Sequence, residues 1–396
     1  MPRWQPLRAS RVTAAALATL AAFTDVLAYS IAVPVLPDLS RRAGASPTMI
    51  GFLFAAFGVT LLATSVPMGA LSDRLGRRGP LIAGAAALTL STLLLAFANT
   101  LPWLFLARLV QGSADAVTWV VGLALIADLF EPEERGRVMG LFMGGTTVGF
   151  MLGPSLGGWL YEMGGPRMPF LAVAALAAFC TLGFAWMKAP AQLEVGEYAT
   201  LRQLLRVRAV AICGLAVTLG GGTLAMLEPT LALFLAEHIG LGPSRVGLVF
   251  GSSAVTAAIL HPIVGRVADR KGGRWLMHAG LIGMAVLLPL LGRIDSFSSA
   301  VAIEMVFTLA VAGMITPSLT YMADATSQAG VKSFGVAYGV YNVAWAIGLL
   351  VGPSLGGAAY ERLGFPTLTL VWAALLLPLT LLVARARTDT MGNPSS

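Results

Sequence analysis

The chain has 396 residues, of which 57% are hydrophobic and only 11% are charged. A soluble protein of ordinary composition carries about 25% charged residues, so this composition excludes a water-soluble domain as the main architecture. The net charge of +7 does not indicate a nucleic-acid-binding protein, because the basic residues lie in short loops between apolar segments.

Long apolar segments follow one another along the whole sequence. Charge-free runs such as 79–107 and 138–161 reach the ~20 residues that a membrane-spanning helix needs. They lack the polar–apolar alternation of a transmembrane strand. We therefore predict an all-α polytopic membrane protein with twelve transmembrane helices. The predicted spans are 12–37, 48–70, 79–99, 102–128, 138–161, 168–188, 208–235, 244–268, 274–292, 297–322, 333–360 and 366–384.

The longest polar interruption, "APAQLEVGEYATLRQLLRVR", lies in the middle of the chain and separates six spans from six. We predict an N-terminal bundle (1–188), a cytoplasmic linker (189–207) and a C-terminal bundle (208–396). Most basic residues fall in loops on the side of both termini, and the positive-inside rule places that side in the cytoplasm. Arginine far outnumbers lysine, which is typical of a GC-rich bacterial source, so the expected location is the bacterial inner (plasma) membrane.

Two motifs of the first half recur in the second. "GALSDRLGRRGPL" between spans two and three is echoed by "GRVADRKGGRWLM" between spans eight and nine. "GFMLGPSLGGWLYE" in span five returns as "GLLVGPSLGGAAYE" in span eleven, at nearly the same interval. Such internal repetition predicts two pseudo-symmetric six-helix bundles with a site near the midplane between them.

The loop after span two combines a glycine with a cluster of charges. Gly69 permits close helix packing, and Asp73, Arg74 and Arg77 can pair with groups at neighbouring helix ends. With Asp269 at the repeated position, these residues resemble the loop motif of the major facilitator superfamily. The resemblance implies a cluster that closes the cytoplasmic side. The alternative is that these charges only orient the chain in the membrane.

Span four carries an arginine in "LARLVQGSADAV". An arginine well inside a span costs about 2.5–3.5 kcal/mol on insertion scales. Asp115 lies two helical turns after Arg108 and therefore on nearly the same face. The segment resembles a second motif of the superfamily, which implies that Arg108 assists proton coupling, with Asp115 as a further candidate. A structural contact between Arg108 and Asp115 is the alternative.

Span five contains a stripe of small residues, Gly149, Gly153 and Gly157, with Pro154 beside it. This spacing lets helices approach closely and bends the helix locally. The pattern resembles the antiporter motif of the drug:proton exchangers of the superfamily. Generic helix packing is the alternative interpretation.

Two acidic residues stand inside apolar spans, Asp25 in span one and Glu228 in span seven. The runs "TDVLAYSIAVPVLP", "EPEERGRVMG" and "AMLEP" resemble the vesicular amine transporter branch of drug:proton antiporters. The resemblance implies that Asp25 and Glu228 bind the protonated amine and exchange protons. The sequence departs from that branch at Thr316 and Asn342, where the branch carries acids, and at Phe57 or Gly58, where it carries a lysine.

Aromatic side chains near these positions can receive an organic cation through cation–π contacts, although packing is the alternative. Tyr29 follows Asp25 by one turn, and Tyr341 and Trp345 flank Asn342. The predicted proton- and substrate-binding residues are Asp25, Tyr29, Glu228, Thr316, Tyr341, Asn342 and Trp345.

Two further ionisable residues fall within spans. Glu304 occupies the repeat position of Arg108, and the sequence leaves open whether it is functional or structural. His261 precedes Pro262 in span eight and is predicted to be packed or hydrogen-bonded rather than a proton carrier.

The sequence thus predicts a proton-coupled secondary antiporter that exports lipophilic, cationic, amine-like or drug-like molecules by alternating access. It is expected to act as a monomer in the lipid bilayer, with the proton gradient as its energy source and without a cofactor, a metal or a nucleic-acid partner. An exporter of neutral sugars, metabolites or lipids with the same fold is the alternative. An enzyme is not expected, because the sequence shows no metal cluster, nucleotide loop or nucleophile constellation.

Overall fold

The computed structural model describes residues 8–187, 207–328 and 334–385. Within these ranges the chain forms twelve α-helices joined by short loops. The helices are α1 (Arg8–Arg42), α2 (Pro47–Leu75), α3 (Arg78–Phe97), α4 (Leu101–Leu129), α5 (Pro132–Gly164), α6 (Met168–Trp186), α7 (Arg208–His238), α8 (Pro243–Lys271), α9 (Gly273–Leu291), α10 (Phe297–Gln328), α11 (Phe334–Leu363) and α12 (Phe365–Arg385). Each predicted span corresponds to one helix, and the predicted all-α fold is confirmed.

In the part of the chain that the structure describes, ten helices are long and apolar enough to cross a membrane. Helix α12 adds a shorter apolar stretch, Phe365–Leu381. Helix α5 is not among the ten, because its glycines and threonines lower its hydropathy. Large apolar side chains on the outer surface, such as Phe179 and Val286, are exposed as a lipid-facing surface requires.

The loops follow ordinary rules for helix ends. Ser46 caps α2, since its hydroxyl accepts a hydrogen bond from the Met49 amide, and Pro47 occupies the first turn. Gly76 ends α2 with a φ of 81°, a conformation that glycine adopts without strain. The charged turn after α2 is therefore tight enough to bring α3 back alongside its neighbours.

The helices of each half form their own hydrophobic cores. One continuous buried cluster joins α7 to α12, and two clusters fill the space among α1 to α6. The halves meet where α2 packs on α11, α5 on α8 and α1 on α7. The predicted arrangement of two six-helix bundles is confirmed. The exact domain boundaries stay a prediction, because the predicted linker lies, apart from Val207, outside the described residues.

Small residues bring the two halves into close contact. We call the end of the molecule that carries residues 8 and 385 the terminal end and the opposite end the distal end. In the distal half of the bundles, a Cβ atom placed on Gly51 of α2 would lie 3.0 Å from the Cα of Gly357 of α11. A Cβ atom on Gly158 of α5 would lie 2.6 Å from the Cα of Ser244 of α8. The distal end is therefore closed by direct backbone packing.

Ion pairs and hydrogen bonds reinforce this closure. Arg41 at the end of α1 pairs with Glu237 at the end of α7. Glu361 of α11 accepts hydrogen bonds from the Ser46 hydroxyl at 2.8 Å and from the Thr48 amide at 2.9 Å. The second contact caps the N-terminus of α2 with a carboxylate from the other half, an arrangement that the helix dipole favours.

The glycine stripe of α5 faces α1. A Cβ atom on Gly149 would lie 2.8 Å from the carbonyl oxygen of Phe23, and one on Gly157 would lie 2.9 Å from that of Ile31. Since both obstacles are backbone atoms, neither can rotate away. The stripe lets α1, which carries Asp25, approach α5 closely.

Replacing Gly157 with alanine should lower stability by about 1–3 kcal/mol, the usual effect of overpacking. The clash with Ile31 should outweigh the higher helix propensity of alanine, about 1 kcal/mol. Gly144 of the same helix is the matched control, since nothing lies within 4 Å of a Cβ atom there. Melting temperatures in detergent should fall for Gly157→Ala and hold or rise for Gly144→Ala. Equal melting temperatures would contradict the close approach.

Candidate substrate and proton site

Two buried carboxyl groups lie side by side in the first half. Asp25 of α1 is 1% exposed and Asp115 of α4 is 8% exposed. Their carboxyl groups interact with each other, and Asp115 also interacts with the Trp119 side chain. Neither oxygen of Asp25 makes a hydrogen bond of ordinary length and angle. Because two neighbouring carboxylates repel, a proton or a cationic group held between them would be stabilising.

A fully buried arginine lies next to this pair. Arg108 of α4 donates a hydrogen bond from Nη1 to Oε1 of Gln111 at 2.7 Å. Its guanidinium carbon lies 4.8 Å from the ring centre of Phe57 and 5.3 Å from those of Tyr29 and Phe54. These distances are those of cation–π contacts. The Tyr29 ring, predicted to receive the cation of a substrate, is thus in contact with a cation of the protein itself.

Glu228 lies on α7, in the second half. Its Oε2 accepts a hydrogen bond from the hydroxyl of Tyr29, across the boundary between the halves. Arg108 is the nearby positive charge that acts on Glu228. Residues of α1, α4 and α7 thus bring together Asp25, Tyr29, Arg108, Asp115 and Glu228. The alternative, a structural contact between Arg108 and Asp115, stays a prediction. The charges of the two groups act on each other, while the hydrogen bond from the Arg108 guanidinium goes to Gln111.

The remaining predicted ligand-binding residues lie on α10 and α11. Trp345 packs into a small apolar cluster with Tyr29 and Phe57, at the edge of the site. The Tyr341 ring stacks on Trp345 with centroids 6.4 Å apart, and its hydroxyl lies 3.3 Å from the Ser318 hydroxyl. Asn342 is half-buried on the same turn of α11.

The Thr316 side chain makes a hydrogen bond within the second half. Its hydroxyl lies 2.6 Å from Nδ1 of His261, so the histidine predicted to be packed or hydrogen-bonded makes a hydrogen bond to α10. Glu304 of α10 is buried, and its Oε2 has no hydrogen-bond partner. It does not contribute to the cluster around Glu228.

The charged loop motif lies at the terminal end. Arg77 pairs with Asp73 and, through Nε, with Asp128 of α4 at 2.8 Å. A Cβ atom on Gly69 would lie 3.4 Å from Val120 of α4, so α2 and α4 approach each other here. Arg74 is exposed. These contacts tie α2 to α4 within the first half. The side chain of Asp269, its predicted counterpart in the second half, lies outside the described residues.

Sequence patterns alone did not indicate two parts of the site. Phe54 and Phe57 flank Arg108 from α2, and Gln111 holds the guanidinium. The three-residue spacing of Phe54 and Phe57, which places both rings on one helix face, is the signal that could have identified them. Gln111 was visible as part of the span-four motif, yet its role as the hydrogen-bond partner of Arg108 required the structure.

The described residues form twelve helices in two halves, and ten of these helices are long and apolar enough to cross a membrane. Together with the ionisable side chains clustered among α1, α4 and α7, this architecture defines a membrane transporter. The family model "Major Facilitator Superfamily" matches residues 18–221 and 210–395. The chain belongs to the major facilitator superfamily.

Named relatives lie in the branch that the sequence motifs resemble. The chain is 31% identical over 331 residues to the synaptic vesicular amine transporter of Bos taurus, covering 81% of this chain and 62% of that protein. It is 30% identical over 333 residues to the chromaffin granule amine transporter of Homo sapiens, covering 82% and 62%. The chain thus spans less than two thirds of the length of these relatives. The resemblance to vesicular amine transporters is confirmed.

The fold is shared with more distant transporters. The structure of a bacterial homologue of the human lysosomal transporter Spinster superposes with a TM-score of 0.83 at 15% identity, covering 98% of this chain and 100% of that one. The human organic anion transporter MFSD10 superposes with a TM-score of 0.68 at 20% identity, covering 96% and 100%. At these identities the likeness concerns the fold alone.

Proposed function

We propose that this chain is a proton-coupled antiporter that exports cationic, amine-like or drug-like small molecules by alternating access. The observation that carries the proposal is the cluster of three carboxyl groups inside the helix bundle: Asp25 and Asp115 from the first half, both buried, and Glu228 from the second, which is half-buried. The similarity to vesicular amine transporters supports the choice of an amine as the substrate class.

The charges of the site explain why protons and amines would compete. The carboxyl groups of Asp115 and Glu228 interact with one guanidinium, that of Arg108, and Asp25 adjoins Asp115, so complete ionisation of all three carboxyl groups leaves negative charge without compensation among these residues. A proton or an ammonium group can each provide the missing positive charge. Binding of one disfavours binding of the other, which is the thermodynamic requirement for exchange.

The apolar walls suit the organic part of such a substrate. Phe57, Leu349 and Trp345 form an apolar cluster with Tyr29 beside Glu228. An amine can place its ammonium group on the carboxylates and its hydrocarbon part against these side chains. Arg108 is then an internal cation that interacts with the same carboxylates as the ammonium group of the substrate. The substrate must displace Arg108 from these carboxylates or share them with it, which is the coupling role we propose for Arg108.

In alternating access, contacts between the two halves close one side of the membrane and then the other. The distal end is closed here by the α2–α11 and α5–α8 contacts. We propose that the terminal end faces the cytoplasm, because the basic loops lie there, and that the chain resides as a monomer in the bacterial inner membrane. Export then carries the amine from the terminal side to the distal side as protons return.

Transport by the purified protein in liposomes tests the proposal. A radiolabelled amine or a cationic dye should accumulate when the liposome interior is more acidic than the outside, and a proton ionophore should abolish the accumulation. A panel of neutral sugars serves as the control for the class of substrate. Uptake of sugars without uptake of amines, or amine uptake that is independent of the proton gradient, would contradict the proposal.

A further inference from the structure

One hydrogen bond joins the two halves within the site itself. The hydroxyl of Tyr29, in the distal part of α1, donates to the carboxylate of Glu228, in the distal part of α7. Among the described residues, other polar contacts between the halves lie nearer the distal end, such as Arg41 with Glu237 and the Ser155 hydroxyl with the carbonyl oxygen of Gly247. The Tyr29–Glu228 bond therefore links the closure of the distal half directly to a residue of the site.

The Tyr29 ring is held firmly in place. It lies 4.8 Å from Phe57 and 6.2 Å from Phe150, centre to centre, both from the first half. Ala225 and Leu349 of the second half complete the buried cluster around it. A ring fixed in this way moves with α1, so its hydroxyl leaves Glu228 when α1 and α7 separate.

The strength of this bond depends on the charge of Glu228. A hydrogen bond to an ionised carboxylate is roughly twice as strong as one between neutral groups. Among the described residues, the ionisable side chains that act on Glu228 are Tyr29 of α1 and Arg108 of α4, and Asp115 of α4 acts on Tyr29. From α2 and α11, which also pack on α7, the neighbours in this cluster are apolar.

We propose that Tyr29 is a positioning residue that prevents the empty transporter from reorienting. An ionised, unoccupied Glu228 holds α1 to α7 through the Tyr29 hydroxyl and keeps the distal side closed. A proton on Glu228, or an ammonium group bound to it, removes the charge-assisted part of the bond and permits opening. This inference rests on the proposed antiport, which requires that the carrier move only when Glu228 is occupied, since otherwise the amine leaks without proton exchange.

The ion pair and the hydrogen bonds at the distal end do not fulfil this role. Arg41–Glu237 and the contacts of Glu361 close the same side, but they lie at the helix ends, away from the cluster around Asp25. They stabilise the closed state whether or not the site is occupied. Tyr29 differs because its partner is itself the proposed binding group.

The test compares Tyr29→Phe with the unchanged protein by distance measurements between spin labels. Labels at Met49 of α2 and Leu363 of α11, both exposed near the distal end, report the separation of the halves. In the unchanged protein the distal side should be closed at pH 8 and should open as the pH is lowered. In Tyr29→Phe the open population at pH 8 should rise about 10-fold or more, as expected on losing a hydrogen bond to a charged group.

Tyr161→Phe is the matched control. The Tyr161 hydroxyl also donates to a carboxylate, that of Asp38, but both residues belong to the first half. Its loss should leave the pH dependence of distal opening unchanged. In liposomes, Tyr29→Phe should transport amine down its own gradient yet accumulate less under a proton gradient, because empty carriers now reorient.

A second variant decides the matter even if Tyr29→Phe folds poorly. Glu228→Gln should open the distal side at pH 8 in the same way, and adding Tyr29→Phe to it should cause little further change. The inference is overturned if either single variant keeps the distal side closed at pH 8 with the usual pH dependence. That result would leave the proposed function intact, whereas absence of amine transport by the unchanged protein would refute the function instead.

Discussion

Replacing Glu228 with glutamine should abolish net exchange of amine for protons. The glutamine keeps the size of the side chain and can still accept the hydrogen bond from Tyr29, but it can neither bind a proton nor offer a charge to an ammonium group. A hydrogen bond to a charged group contributes about 1.5–3 kcal/mol. Amine affinity should therefore fall about 10- to 150-fold, and accumulation driven by a proton gradient should be lost.

Glu162→Gln provides the control for this substitution. Glu162 is exposed at the distal end of α5, outside the cluster of Asp25, Asp115 and Glu228, and its replacement should leave exchange unaffected. Uptake of a labelled amine and equilibrium binding should both be measured, so that a defect in binding is distinguished from a defect in coupling. Gradient-driven accumulation by Glu228→Gln at the usual rate would refute the role proposed for this residue.

Much of the fold was predictable from the sequence, for a clear physical reason. In the membrane interior every backbone group must be hydrogen-bonded within the chain, so a long apolar run can scarcely be anything but a helix. The same argument identified Asp25 and Glu228. A carboxyl group inside such a run is energetically unfavourable, so its presence there indicates a function. The structure places both in the cluster formed by α1, α4 and α7, where Asp25 is buried and Glu228 is half-buried.

The contacts within the site were not predictable, because they depend on the packing of helices that are distant in sequence. Tyr29 and Glu228 are 199 residues apart in the chain, and no periodicity within one helix relates them. Helical spacing placed Asp115 on nearly the same face as Arg108, but it did not reveal that the carboxyl group of Asp115 interacts with that of Asp25 from α1. A helical repeat predicts on which face of its helix a side chain lies, but it does not predict which side chain of another helix it contacts.

Arg108 illustrates the same limit. The sequence indicated that a buried arginine needs compensation, and an acidic residue two turns away was the obvious candidate. The structure instead supplies a glutamine on the same helix and three aromatic rings from α1 and α2. Aromatic faces can hold a guanidinium without neutralising it, so the positive charge remains available to influence Glu228 and Asp115.

Replacing Asp25 with asparagine should stabilise the protein while it impairs transport. Both oxygens of Asp25 are buried without a hydrogen-bond partner of ordinary geometry and lie beside a second carboxyl group. When ionised, such a group destabilises the folded state, and an asparagine removes the charge and adds a hydrogen-bond donor. The expected gain is about 1–3 kcal/mol at pH 8, measured as a higher denaturation temperature in detergent.

The pH dependence and a second aspartate make this prediction specific. Only the ionised form of Asp25 is unfavourable, so the gain should disappear in acid, where the unchanged protein carries a neutral carboxyl group. Asp128 is the contrasting case, because it pairs with Arg77, and Asp128→Asn should lower stability by up to about 1 kcal/mol.

Amine uptake by Asp25→Asn should fall roughly 10-fold or more, since the ammonium loses a charged partner. A variant that is destabilised at pH 8, or that still exchanges amine for protons at the usual rate, would show that Asp25 is a structural residue. Opposite changes in stability and transport are expected only if the buried charge is kept for its function.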